Sequence, residues 1–132
     1  MWEMHDKEFE TVGSLPPDER YSYTIKRVAD GEVLWSLTDG GKWVLSSDDE
    51  GNKLIPVWPH KHFAGACAEG EWDGYDTRPL ELSTCMDLWL PELRQEKRLV
   101  SVFPVPSVED RGMVVCPDRF REDLQAELDL IE

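Results

Sequence analysis

The sequence lacks the long apolar runs and the signature motifs that mark several large protein classes. No apolar run approaches the roughly 20 residues that a membrane-spanning helix needs. Residues 1–6 have neither the basic region nor the apolar core of a secretory signal. The nucleophile elbow, the phosphate-binding loop and the dinucleotide fingerprint are also missing. We therefore expect a cytoplasmic protein with no membrane partner, no cofactor and no recognisable catalytic motif.

Cysteine is scarce, and its spacing excludes the common metal and redox motifs. The 3 cysteines, Cys67, Cys85 and Cys116, form no Cys-x-x-Cys pair, which argues against a zinc knuckle or a thioredoxin-like motif. Each lies among apolar neighbours, which predicts buried free thiols in a reducing compartment. Since no three or four potential ligands have suitable spacing, we predict no metal site.

Basic side chains are in the minority, and this excludes nucleic acid as the expected partner. The chain has 14 basic and 28 acidic residues, a net charge of −14 and a pI of about 4.5. A phosphate backbone would be repelled by such a surface. The acidity is typical of a well-solvated monomer or homodimer. An acidic inhibitor or immunity-like protein that neutralises a basic partner is the alternative.

The 132 residues suit one domain, and turn signals divide them into helices and strands in the order α-βββ-α-β-α-ββ-α. We predict a single α+β domain over residues 14–132, with a mostly antiparallel sheet of about five or six strands and helices packed on it. Residues 1–13 show no clean period and are expected to form a mobile arm. The predicted helices begin near Pro16, His60, Ser83 and Pro117, and the first of them stops at Asp30-Gly31. The predicted strands are Glu32 to Leu37, Trp43 to Leu45 and Leu54 to Trp58, as an antiparallel meander, then Arg78 to Leu82, Leu99 to Phe103 and Met113 to Val115.

Apolar side chains at helix and strand spacing define the expected core. The residues expected to be mostly buried are Trp35, Ile55, Val57, Phe63, Leu90, Val102, Val114 and Leu124.

Tryptophan, in contrast, is abundant, with 6 residues in the chain. Trp35, Trp43 and Trp58 fall on three predicted neighbouring strands and would form an aromatic layer if they share a face. The layer is either core packing or a partly open groove lined by indoles, because large rings are seldom fully buried. Trp58 is therefore a candidate binding residue.

Two further segments carry candidate binding residues. His60 and His62 follow a proline, and on a helix beginning at His60 their rings would diverge by about 200°, which disfavours chelation. Trp72 and Tyr75 lie on a glycine-containing loop, where they either recognise a partner or fold back over the core. We expect the segment 59–62 to form the wall opposite this loop.

Short motifs follow one another in a fixed order along the chain. They are Val33-Leu34-Trp35-Ser36-Leu37, Gly41-Lys42-Trp43-Val44, Leu54-Ile55-Pro56-Val57-Trp58-Pro59, Phe63-Ala64, Ala66-Cys67-Ala68, Trp72-x-Gly74-Tyr75, Trp89-Leu90-Pro91-x-Leu93, Val102-Phe103-Pro104, Val114-Val115 and Pro117. This ordered set resembles one bacterial family, the domain of unknown function 2750. The resemblance implies a small α+β fold and no established activity or site residues.

The tryptophan content and the missing catalytic motifs favour a non-enzymatic binding or adaptor domain that uses an aromatic surface or groove to bind another protein. The first alternative is an enzyme whose dispersed site uses His60 or His62 with nearby carboxylates. The second alternative is the acidic inhibitor.

If Trp72 serves recognition, Trp72→Ala should leave the free energy of unfolding within about 1 kcal/mol of wild type, as for a surface change. The same change should weaken partner binding by more than about 1 kcal/mol, the scale of a binding hot spot. Thermal denaturation and a binding isotherm measure the two effects. An unfolded variant would show that the ring belongs to the core.

Overall fold

The computed structural model describes residues 11–12, 14–47, 50–66, 74–104 and 112–131. Its helices lie between runs of mostly antiparallel strands, so the predicted α+β fold class is confirmed. Within the described ranges, none of the helices is long and apolar enough to cross a membrane. The elements are α1 Pro17–Gly31, β1 Val33–Asp39, β2 Lys42–Trp43, β3 Ser46–Ser47, β4 Lys53–Val57, α2 Lys61–Ala66, β5 Asp76–Glu81, α3 in the consecutive pieces Leu82–Thr84, Cys85–Trp89 and Leu90–Gln95, β6 Leu99–Val102, β7 Met113–Val115 and α4 Pro117–Ile131.

Helix α1 begins and ends for local reasons. Pro17 occupies its first turn, where a missing N–H costs no hydrogen bond, and Asp18 places a negative charge at the positive end of the helix dipole. At the other end Glu32 adopts a left-handed conformation with φ 57°, and its N–H donates to the Val28 carbonyl at 2.8 Å. The helix thus ends at Gly31, in agreement with the predicted stop at Asp30-Gly31, and Glu32 is the left-handed residue that closes it.

The strands form two sheets, so the prediction of one sheet with five or six strands is wrong. One sheet has the strand order β2-β1-β5 and the other has the order β3-β4-β6-β7. All neighbours are antiparallel except β4 and β6, which are parallel. The predicted three-stranded meander is also wrong, because the chain leaves the first sheet after β2 and enters the second at β3.

A proline explains why β1 and β4 do not pair along their length. The two meet at a single bridge, where the backbones of Trp35 and Trp58 exchange hydrogen bonds of 2.8 and 2.9 Å. Alternate residues of a strand direct their backbone groups to opposite edges, so Pro56 faces the same edge as Trp58. Pro56 has no N–H to donate there, and the Ser36 hydroxyl donates to its carbonyl. The ladder therefore stops, and two sheets result.

A second proline shapes α3. Its central piece, Cys85–Trp89, is a π-helical turn in which the Leu90 N–H donates to the Cys85 carbonyl. In this register the next donor, for the Met86 carbonyl, would be Pro91, which has no N–H. Arg121 of α4 supplies the missing donor, with its Nε 3.0 Å from the Met86 carbonyl oxygen. The irregular turn of α3 is thereby tied to α4.

Most of the predicted core is confirmed. Trp35 is only partly buried, and the prediction for Val114 is wrong, since 38% of its surface is exposed. Because successive side chains of a strand point to opposite faces, Val114 lies on the face of β7 opposite Met113 and Val115. Buried as predicted are Ile55, Val57, Phe63, Leu90, Val102 and Leu124.

Two other expectations concern the cysteines and the N-terminal arm. Cys85 is buried as predicted, and burial raises the pKa of its thiol to about 12, whereas Cys116 is exposed, so the prediction for that thiol is wrong. Cys67 lies outside the described residues. In the segment 1–13, Val12 is buried in the core, whereas residues 1–10 and 13 lie outside the described residues, so the mobile arm stays a prediction.

Arg20 is buried within the core with only 3% of its surface exposed. Its Nε donates to the Phe103 carbonyl at 3.2 Å, and its Nη1 donates to the Leu15 carbonyl. The guanidinium also lies 5.7 Å from the centroid of the Phe103 ring. Arg20 therefore joins the start of α1 to the end of β6.

Leu124→Ala should lower the free energy of unfolding by about 2–4 kcal/mol, because Leu124 is fully buried and its truncation leaves a cavity. The matched control is Leu130→Ala on the same helix, which should change stability by less than about 0.5 kcal/mol, since Leu130 is 79% exposed. Denaturant unfolding measures both. Equal losses would mean that α4 does not dock by the face described here.

Gly112→Ala should destabilise the protein severely. A Cβ at position 112 would lie 2.1 Å from the Val102 carbonyl oxygen, and the φ of +70° disfavours any side chain. Gly31→Ala is the control, because its Cβ would meet nothing closer than 4.0 Å, inside a helix. Thermal denaturation should show a large loss for the first variant and none for the second. A tolerated Gly112→Ala would contradict this packing.

Candidate functional site

Trp58 belongs to the core. Its side chain is fully buried, and its indole N–H donates to the Pro104 carbonyl at 3.1 Å. Trp35 and Trp43 are partly buried, and Trp43 packs edge-on against Trp89 with ring centroids 5.5 Å apart. Of the two alternatives for the indoles, core packing applies to Trp58. Its side chain has no exposed surface that a partner could contact.

The two histidines lie together at the start of α2. The helix begins at Lys61, so His60 precedes it, and its Nδ1 accepts a hydrogen bond of 3.1 Å from the His62 N–H. The imidazole centroids are 4.8 Å apart, which makes the expected divergence of the rings wrong. The reason is that His60 lies outside the helical repeat. In the described part of the chain, no group of three or more His, Cys, Asp or Glu residues is arranged to hold a metal.

The aromatic loop is only partly described. Trp72 lies outside the described residues, and Tyr75 is partly buried and packs against the core. The strand that follows Tyr75 approaches α2 through Thr77 near Gly65, whereas the imidazoles lie at the other end of that helix. A common recognition site of Trp72 and Tyr75 with the histidines stays a prediction.

The structure shows a cleft that the sequence reasoning missed, between α1 and α4. It has a volume of about 380 Å³ and opens to solvent. Its apolar lining comes from Tyr21 and Ile25 of α1 and from Met113 of β7. Six polar side chains complete it, namely Asp18, Ser22, Lys26, Arg119, Asp123 and Glu127.

Helical spacing explains how these residues come together. Tyr21 and Ile25 are four residues apart on α1 and share a face, as do Arg119, Asp123 and Glu127 on α4. Buried Phe120 of α4 meets the Tyr21 ring edge-on, with centroids 6.5 Å apart. The two helices therefore pack through their aromatic residues and leave the cleft beside that contact.

The polar centre of the cleft is a tyrosine, an aspartate and an arginine. The Tyr21 hydroxyl donates to Asp123 Oδ2, and Arg119 Nε lies 3.6 Å from the same oxygen. The Arg119 guanidinium also lies 5.6 Å from the Tyr21 ring centroid. Burial is the main reason that the pKa of Tyr21 is raised well above its usual value, and the hydrogen bond to Asp123 adds to the effect. Tyr21 is thus a protonated donor at neutral pH.

The sequence contained one usable signal for this site. The spacing of Arg119, Asp123 and Glu127 predicts that they share a face of the last helix. Tyr21 lies four residues before Ile25 and fits an apolar stripe of the first helix, and nothing local indicates that its hydroxyl meets a residue 102 positions later.

Tyr21→Phe should lower the free energy of unfolding by about 1 kcal/mol near pH 8, the usual net value of a hydrogen bond. Because the folded state raises this pKa, the stabilisation is fully present below the ordinary value of 10.0 and is lost as the pH rises through the folded pKa. The difference between wild type and variant should therefore shrink above pH 10 in denaturant unfolding. Tyr75→Phe, whose hydroxyl has no recorded partner among the described residues, should cost less than about 0.5 kcal/mol near pH 8.

Comparison with known proteins identifies the family. The model of the family described as "Protein of unknown function (DUF2750)" matches residues 21–124, which include the cleft residues from Tyr21 to Asp123. No curated protein and no solved structure gives a significant match. The resemblance found in the sequence motifs is confirmed, and the chain belongs to the DUF2750 family.

Proposed function

We propose that the protein is a non-enzymatic binding domain that acts as an adaptor for another protein, with the cleft between α1 and α4 as its recognition surface. The observation that carries the proposal is an open cleft with an apolar floor and an ordered polar centre on two packed helices. Trp72, Tyr75, His60 and His62 remain the proposed second contact surface.

The dimensions of the cleft support this role. Its volume of about 380 Å³ lies within the roughly 300–1,000 Å³ of typical ligand sites. A ring, a branched aliphatic chain and a thioether supply apolar surface, and the polar groups around them can fix the orientation of a bound group. An open cleft of this size suits a side chain of a partner protein better than a large cofactor.

The cleft is also ordered in advance. The Tyr21 ring is held by Phe120 on one edge and by Arg119 above it, and its hydroxyl is held by Asp123. A fixed amphipathic ring binds with a small loss of conformational freedom, which is why tyrosine and arginine are common in binding hot spots. Tyr21 is therefore the proposed centre of recognition.

The chemistry of the cleft favours binding over catalysis. A general acid or base works best with a pKa near the working pH, whereas the environment of Tyr21 moves its pKa away from neutrality.

Site-specific photo-crosslinking tests the proposal in the cells from which the protein comes. A photoreactive residue at Ser22, on the exposed rim of the cleft, should give a discrete and saturable protein adduct. The matched control is the same residue at Gln95, which is exposed on α3 and does not line the cleft. Excess wild-type protein should compete for the adduct, and Ser22→Trp, which fills the cleft from an exposed position, should not.

Equal adducts from both positions would overturn the proposal. Equal competition by wild type and Ser22→Trp would do the same, provided that both proteins melt at the same temperature.

A further inference from the structure

The contacts among the cleft residues leave several carboxylate oxygens without a hydrogen-bond or ion-pair partner among the described residues. Tyr21 and Arg119 both bind Oδ2 of Asp123, and Oδ1 has no recorded partner among the described residues. Asp18 and Glu127 likewise have no ion pair with any residue that the structure describes. Three carboxylates thus face the cleft with free acceptor oxygens.

The cleft has fewer positive than negative side chains, and one of its two cations is already paired. Arg119 is committed to Asp123 and to the Tyr21 ring, which leaves Lys26 as the one lining cation with no ion pair among the described residues. An incoming anion would therefore meet more uncompensated negative than positive charge. The net charge of −14 adds a long-range field that attracts cations and repels anions.

We propose that the cleft binds an arginine side chain of a basic partner protein. This inference rests on the proposed function and names the chemistry that the cleft recognises. The aliphatic stem of the arginine lies against Ile25 and Met113, and its guanidinium donates to Asp123 Oδ1 and Glu127.

The geometry favours guanidinium because Asp123 and Glu127 are one helical turn apart on α4 and present neighbouring acceptors. The planar guanidinium has five donors in a fixed fork and can bind two carboxylate oxygens at once. Long basic side chains also bury their stems on apolar surface while the head stays among polar groups. The apolar floor and acidic rim of the cleft match both parts of such a side chain.

An NMR titration of the ¹⁵N-labelled full chain tests the inference with three probes of similar size. They are N-acetylarginine amide, its neutral isostere N-acetylcitrulline amide and the anion N-acetylglutamate amide. The arginine probe should cause saturable shifts at Ser22, Lys26 and Glu127, with an affinity at least about 10-fold above that of the citrulline probe, because only the former carries a charge. Raising the salt concentration should weaken this binding.

Variants separate a local contact from general charge attraction. Glu127→Gln should weaken binding of the arginine probe by about 3-fold or more, and Asp18→Asn should weaken it less, since Asp18 lies on the other helix. The matched control is Glu122→Gln, which removes an exposed carboxylate of α4 that does not line the cleft and should leave the affinity unchanged. Equal losses for Glu127→Gln and Glu122→Gln would overturn the inference.

The outcomes distinguish this inference from the proposed function. Equal affinity for the arginine and citrulline probes, or preference for the glutamate probe, would refute arginine recognition and leave the cleft as a binding site. Absence of cleft shifts with all three probes would refute the inference, and the proposed function would then stand if the adduct at Ser22 is still competed as expected. If no probe shifts the cleft residues and the adduct at Ser22 is not competed either, both the inference and the proposed function are refuted.

Discussion

The buried guanidinium of Arg20 is the contact on which the arrangement of α1 depends. A buried charge is costly unless hydrogen bonds replace its water, and Arg20 has the carbonyls of Leu15 and Phe103 as acceptors. These bonds fix the start of α1 against the end of β6. Because Tyr21 is the next residue, about 100° further around the helix, the same anchoring directs its ring toward α4. The position of the cleft thus follows from a contact outside it.

An aromatic chain extends this anchoring to α2. Phe103, which has a positive φ of 59°, packs against Phe63 of α2 with ring centroids 4.5 Å apart. Phe63 in turn meets Tyr23 of α1 edge-on at 6.4 Å. A bulky residue in the left-handed region is strained, and the dense packing around it maintains that conformation. The histidines at the start of α2 and the cleft beside α1 are therefore parts of one packed unit.

Sequence periodicity was sufficient for the long elements and insufficient for their assembly. The apolar stripes of α1 and α4 and the runs of β4, β6 and β7 could be predicted because each depends on neighbours in the chain. The division into two sheets could not, since it depends on which edge of β4 Pro56 faces. The cleft also depends on residues that are distant in the sequence, because the partner of Tyr21 is 102 residues away, and it therefore could not be predicted.

The cleft keeps its shape because α4 is held on two sides by arginines two positions apart. Arg119 faces Tyr21 and Asp123, whereas Arg121, about 200° around the helix, reaches the Met86 carbonyl of α3. That carbonyl is available because Pro91 cannot donate to it. The exposed ion pair of Arg94 with Asp118, 3.4 Å long, joins the same two helices but contributes little by itself. The irregular turn of α3 thus fixes α4 from the side opposite the cleft. The Asp123 carboxylate can therefore bind a group without the free-energy cost of first reorganising the helix.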